Sequence, residues 1–386
     1  MDFDLTWILL GLPIAFVLGW LASRLDLRQL RIENRRAPKA YFKGLNFLLN
    51  EQQDQAIDAF IEAVQKDPDT SELHFALGNL FRRRGEYERA VRVHEHLLSR
   101  GDLSATDRDR AQHALALDFL KAGLLDRAED ALRKLEGTKY EAQARLALLA
   151  IYERSRDWQH ASEIAQKLEA ADQGSFSGRL AHYLCEQAAT RIAAGDAAGA
   201  LPLLEQAITT APTSARPRMD LAAMQLTANE PAQALLTLFE LAEAAPIAMP
   251  LIAPMIARAA IAAGVRDKAL EVLRASYAEF ASLDVLEAIV SLEADEATQG
   301  PGSARVRYVQ HLEREQSLVA AARWLAGEKL EHEEFHPQVQ RALDHAARPL
   351  TRYRCAACGF EAKQHFWQCP GCQAWDSYPA RRVEEL

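Results

Sequence analysis

The chain has 386 residues, 49% hydrophobic and 26% charged, which places it among folded proteins and makes it too long for one ordinary core. A formal net charge of −9, with basic clusters only near the two ends, argues against a nucleic-acid binder, because neutralising phosphates needs a concentrated basic face. Glycine and proline are sparse and no stretch shows sustained β-branched alternation, so the composition points to a nearly all-α fold. Four of the five cysteines fall between Cys355 and Cys372, and Cys185 stands alone in an apolar helical stretch. That spacing is not a disulfide framework and fits a reducing compartment.

From Leu5 to Ala22 there is no charged residue. At about 1.5 Å per residue the run covers roughly 27 Å, close to a hydrocarbon core of about 30 Å. Trp7 and Trp20 stand near its ends, where aromatic rings favour the headgroup region. A cleaved signal peptide fits poorly, since Asp2 and Asp4 precede the run and Gly-Trp-Leu-Ala-Ser lacks the small-x-small cleavage pattern. Residues 1–23 therefore read as a single transmembrane anchor. Arg24, Arg28, Arg31, Arg35 and Arg36 make residues 24–36 a basic juxtamembrane segment that should stay cytoplasmic, leaving the N-terminus periplasmic.

Sliding the chain against itself gives a period of about 34 residues, that of tetratricopeptide helix-turn-helix units. Small residues recur on the second helix at Ala56, Ala90, Ala128, Ala161, Ala200, Ala234 and Ala269. Twelve places before each stand Gly44, Gly78, Ala116, Leu149, Ala188, Ala222 and Ala257 on the first helix. Such positions let the two helices of a hairpin cross closely while larger apolar residues fill the surroundings. Residues 37–281 thus read as about seven repeats, with stops at Asp67-Pro68-Asp69, Pro212 and Pro246. Residues 282–349 read as degenerate or capping helical repeats, interrupted by a loop at Gly300-Pro301-Gly302-Ser303. Stacked units of this family leave an extended surface for proteins or peptides.

Residues 350–386 hold two Cys-x-x-Cys pairs, Cys355/Cys358 and Cys369/Cys372, separated by ten residues. Each pair forms a tight turn aiming two thiolates at one ion, and two turns complete a tetrahedral sulfur site for zinc or iron. Gly359 and Gly371 suit positive φ beside the metal, while Phe360, Trp367 and Trp375 are candidates to cover the sulfurs. With all four positions taken by thiolate, the expected role is structural or redox and not hydrolytic. His365 reads as a surface residue. His332-Glu333-Glu334-Phe335-His336 matches the His-Glu-x-x-His metalloprotease pattern, but Pro337 disfavours a helix running through the second histidine and the flanks are strongly polar.

The order of parts, with the Cys-Gly-Phe to Trp-x-Cys-Pro-x-Cys ending at the C-terminus, resembles the lipopolysaccharide assembly protein B (LapB) family of Gram-negative bacteria. The knuckle alone also resembles the finger of RadA/Sms recombination ATPases, whose P-loop is missing here. The LapB resemblance implies an inner-membrane adaptor, not an enzyme. It implies a regulator of lipopolysaccharide synthesis that presents the lipid A-committing deacetylase to a membrane-bound AAA+ protease. Matching positions make Cys355, Cys358, Cys369 and Cys372 the metal ligands. Alternatives are an electron carrier built on an iron-loaded knuckle and a metalloprotease using His332, Glu333 and His336. The sequence does not decide between zinc and iron, nor whether the repeats pair as a homodimer.

Overall fold

The structure, a computed structural model, describes residues 13, 15–20, 39–66, 70–293, 302–327 and 334–386. The expected anchor and the Asp67-Pro68-Asp69 stop lie largely outside these residues. Within the apolar run, residues 15–20 are helical and expose Phe16, Val17, Leu18 and Trp20. One stretch among the described residues, Pro246–Ala263, is long and apolar enough to cross a membrane. Half of it is buried, and Ile252, Ala253, Ile256 and Ala260 are fully enclosed, so core packing accounts for its apolarity.

The chain divides into two compact units. The first contains α1 (Lys39–Leu49), α2 (Gln53–Lys66), α3 (Ser71–Arg84), α4 (Tyr87–Ser99), α5 (Ala105–Ala122), α6 (Leu125–Arg133) and α7 (Glu141–Ser155). The second contains α8 (Trp158–Ala170), α9 (Ser177–Ala193), α10 (Ala197–Thr210), α11 (Ala215–Thr227), α12 (Pro231–Ala244), α13 (Met249–Ala263) and α14 (Arg266–Glu279). It continues through α15 (Leu283–Glu293), α16 (Gly302–Arg314), α17 (Leu318–Ala326), α18 (His336–Ala347) and a small C-terminal module with β1 (Tyr353–Arg354) and β2 (Glu361–Ala362).

The small-residue positions are enclosed in both units. Ala56, Ala90, Ala128, Ala161, Ala200, Ala234 and Ala269 all have 0% exposure. Gly44, Gly78, Ala116, Leu149, Ala188, Ala222 and Ala257 are buried as well. A left-handed residue stands five places before each of these seven alanines: Glu51, Gly85, Gly123, Arg156, Gly195, Asn229 and Gly264, with φ from 58° to 86°. Within each unit, these residues end the first helix of a hairpin and reverse the chain into the second. Only four of the seven are glycine, so the turn recurs in geometry without recurring in sequence.

Gly78 has a further reason. A Cβ there would sit 2.5 Å from the imidazole of His94, which is itself fully enclosed. His94 Nδ1 lies 2.5 Å from Asp118 Oδ2, and Arg82 Nη1 donates to Asp118 Oδ1 at 2.9 Å and to the carbonyl of Ala114 at 3.1 Å. This polar network ties α3, α4 and α5 together, with His94 and Asp118 fully enclosed and Arg82 at its edge. The loop expected at residues 300–303 ends earlier than its composition suggests, since Gly302 and Ser303 begin α16.

Gly78→Ala should therefore cost about 1–3 kcal/mol by overpacking against His94. Gly101→Ala, where an added Cβ meets nothing within 4 Å, should stay within about 0.5 kcal/mol. Urea unfolding of the two variants checks this, and equal midpoints would remove the packing role assigned to Gly78.

Candidate metal centre

The C-terminal module is two copies of one turn. In the first, the Cys355 N–H donates to the Phe360 carbonyl at 2.9 Å and the Gly359 N–H donates to the Cys355 carbonyl at 2.9 Å. In the second, the Cys369 N–H donates to Ala374 at 2.9 Å and the Gln373 N–H donates to Cys369 at 2.8 Å. The left-handed residue is Gly359 in the first turn, with φ 77°, and Gln373 in the second, with φ 61°. Gly371 does not carry the positive φ expected of it; a Cβ there would meet Phe360 at an ordinary 3.5 Å. The first turn lies at the end of a short antiparallel pair in which Tyr353 faces Ala362 and Arg354 faces Glu361.

These turns bring the four sulfurs of Cys355, Cys358, Cys369 and Cys372 within 4.8 Å of one another. Cys355 Sγ is 3.8 Å from Cys372 Sγ, and Cys358 Sγ is 3.7 Å from Cys369 Sγ. A regular tetrahedron with metal–sulfur bonds of about 2.3 Å has edges of about 3.8 Å, so the donor set and spacing fit one tetrahedral ion. The turns also prepare the thiolates. The Ser377 hydroxyl, 3.3 Å from Cys355 Sγ, leads the effects that lower the Cys355 thiol to about 6. Burial opposes ionisation of Cys369, yet the N–H groups of Cys372 and Gly371 bring it below the ordinary thiol value. A backbone hydrogen bond at Phe360 favours the Cys358 thiolate, but burial and the three neighbouring sulfurs outweigh it and push that thiol up to about 12. Four thiolates this close would repel one another, and a bound cation would supply the compensation.

The module is seated on the repeats of its own unit by two contacts. At one, the Trp375 ring stacks on His182 with centroids 4.7 Å apart and meets Trp158 and Tyr183 edge-on at 6.1 Å and 5.9 Å. His182 Nε2 donates to the Asp376 carboxylate at 2.9 Å. Trp375 thus covers the helices and not the sulfurs, while Phe360 remains 44% exposed. His365 is half-buried between Tyr353, Trp367 and Tyr378, and burial lowers its pKa. The surface position expected for it is wrong because the aromatic residues around it close over the ring.

At the other contact, Arg382 makes a bidentate pair with Asp284 at 2.8 and 2.9 Å, and its guanidinium lies 4.3 Å from the centroid of the Tyr353 ring. The next residues act as caps. Glu384 accepts from the Leu318 N–H at 2.6 Å, the Val319 N–H at 3.1 Å and the Ser317 hydroxyl at 2.8 Å. Glu385 accepts from the Leu283 N–H at 2.6 Å and the Ser282 hydroxyl at 3.2 Å. Adjacent carboxylates therefore occupy the N-termini of α17 and α15, where unpaired N–H groups and the helix dipole favour negative charge. No local pattern announces these partners; the clue available in the sequence was an acidic pair at the end of the chain.

The other singled-out residues do not join this site. Cys185 is buried, which pushes its thiol up. His332 and Glu333 lie outside the described residues, and a helix begins only at His336, whose Nε2 is 3.3 Å from the Leu325 carbonyl. Contrary to expectation, Pro337 does not keep His336 out of a helix but falls in the first turn of one, where proline is tolerated; Glu334 and Phe335 before it form a turn.

The rubredoxin metal-binding domain model matches residues 353–378, and tetratricopeptide repeat models match residues 73–109 and 191–248. Lipopolysaccharide assembly protein B of Escherichia coli is 30% identical over 390 residues, covering 97% of this chain and 98% of the relative. The protein of the same name from Haemophilus influenzae is 26% identical over 396 residues, covering 95% and 96%. Among solved structures, Naa15/Naa10 bound to HypK-THB matches with 14% identity and a TM-score of 0.45, covering 81% of this chain and 47% of that one.

Replacing Glu384 and Glu385 by alanine should cost about 1 kcal/mol per lost cap, near fivefold in amide protection. The loss should appear in hydrogen exchange at Leu283, Leu318 and Val319 and spread to residues 353–378. Unchanged exchange at all these amides would show that the tail does not fasten the module.

Proposed function

Because the chain belongs to the lipopolysaccharide assembly protein B family, we propose that it is a membrane-held, non-enzymatic scaffold. In this reading it limits lipopolysaccharide synthesis by presenting the lipid A-committing deacetylase to a membrane-bound AAA+ protease. The observation that carries the reading is the union of tetratricopeptide repeats with a sulfur knuckle seated on them through His182 and Asp284. Cys355, Cys358, Cys369 and Cys372 hold one zinc or iron ion, whose chemistry there is to neutralise the four thiolates and lock the two turns. A shell filled by four thiolates leaves no position for a substrate, so the knuckle acts by shape and the repeats by binding.

Residues 1–23 anchor the chain, and the exposed helical side chains of Phe16, Val17, Leu18 and Trp20 support that role. The arginines that follow favour a periplasmic N-terminus and a cytoplasmic remainder, and a four-cysteine metal cluster suits a reducing compartment. The mechanism is proximity: holding substrate and protease on one scaffold raises their effective concentration without catalysis.

The test is the lifetime of the deacetylase in cells. Removal of residues 1–23 should leave a soluble, metal-bearing protein that no longer shortens it at native expression. Cys369→Ser with Cys372→Ser should release the ion, loosen the contacts at His182 and Asp284, and abolish the effect while leaving membrane insertion intact. Full activity of the soluble form would refute the membrane requirement. Failure of the intact protein to recover protease and deacetylase from membranes would refute the adaptor.

A further inference from the structure

We propose that the groove between α12 and α14, the second helices of the last two regular repeats, docks an amphipathic helix of a partner protein bearing basic residues beside its apolar face. The proposal rests on the scaffold reading and names a surface and a partner chemistry for it.

The groove has a volume of about 750 Å3 and is closed below by Met249. Its walls are mainly apolar: Leu235, Leu236 and Phe239 stand on one side, Val265, Val272 and Phe280 on the other. Leu236 is 59% exposed, Phe280 51% and Val265 45%. Leu236, Val265 and Phe280 are left out of the core, whereas Leu235, Phe239 and Val272 both line the groove and belong to or pack against the core beneath it. Several large apolar residues converging on one concave surface mark an interaction site more often than isolated exposed residues do.

The rim defines the charge of the occupant. Glu240, Glu243 and Glu279 line the groove against a single cation, Lys268. All three are exposed and none makes an ion pair with the described residues, which leaves them open to a partner's cations. An apolar floor with unpaired acids along its edge complements a helix that is apolar on one face and basic at the borders of that face. Each wall helix has 14 residues, so the walls run for roughly 21 Å and match an occupant of three to four turns. An anionic membrane surface fits poorly, since the groove is concave and its rim has the same sign of charge as the lipid.

One end of the groove opens toward the fastened tail. A second hollow, of about 420 Å3, shares Pro246, Met249 and Phe280 with it and is lined by Arg381, Glu384 and Glu385. The Arg381 guanidinium lies 5.2 Å from the centroid of the Phe280 ring. The tail that seats the knuckle thus also forms the end wall of the docking surface.

The test uses the full chain in nanodiscs of zwitterionic lipid and two photoreactive peptides of about fourteen residues with one leucine pattern, one carrying lysine and the other glutamate at the polar positions. Cross-links of the lysine peptide should map to α12 and α14 and exceed those of the glutamate peptide by about tenfold. Leu236→Ser with Phe280→Ser, both at exposed positions, should lower the yield about tenfold without shifting the melting temperature. Glu240→Lys with Glu243→Lys should reverse the preference between the peptides. Equal labelling by both peptides, or an undiminished yield in the serine variant, would overturn the proposal. Cross-linking of groove residues to a second copy in the absence of peptide would assign the surface to self-association instead. These readouts are independent of deacetylase turnover, so the groove and the scaffold reading fail separately.

Discussion

A module the size of residues 353–378 cannot bury enough apolar surface to fold by itself, and everything at the C-terminal end of this protein follows from that shortage. The module draws on two external supports. Its sulfurs are spaced for an ion that would hold the two turns together, and its aromatic face borrows the repeats as the rest of its core. The dependence runs both ways. Helices α15 and α17 begin with N–H groups satisfied by Glu385 and Glu384, so the repeats rely on the module for their caps as the module relies on them for burial.

The repeats meet a different constraint. Two helices crossing at an alanine leave little room for rearrangement, and an enclosed alanine at the equivalent point of the hairpins within each unit sets the same close approach. Where the sequence departs from that pattern it compensates with polar chemistry. His94 occupies space made by Gly78; Asp118 pairs with its Nδ1, and Arg82 in turn holds the Asp118 carboxylate. On the proposed scaffold reading, such close packing within each unit is what holding a partner in place requires.

Function then resides in what packing leaves over. The sulfur shell has no open position, so chemistry at a bound substrate is not available there. The surfaces left for partners are those that neither stack against a neighbouring helix nor face the module. The groove between α12 and α14 is one of them, and it differs from the interior by the unpaired carboxylates along its rim. Its continuity with the tail hollow brings the seat of the knuckle and the binding face within one structural neighbourhood.

The residues by themselves determined those parts whose geometry repeats or is local. The spacing of small residues located the helix crossings, all of which are buried, and the paired cysteines located the sulfur cluster. Local pattern failed where different residue types adopt one geometry. Arg156 and Asn229 make the same left-handed turn as Gly195, and Gln373 makes the one assigned to Gly371. It also failed where composition has two explanations: residues 246–263 are apolar enough for a membrane, and only their burial identifies them as core. What tertiary structure alone decided was the seat of the knuckle. His182 meets Asp376 across 194 positions, and Asp284 meets Arg382 across 98. No periodicity links residues so far apart, because the partner of a surface side chain depends on where the fold carries each segment and not on its neighbours along the chain.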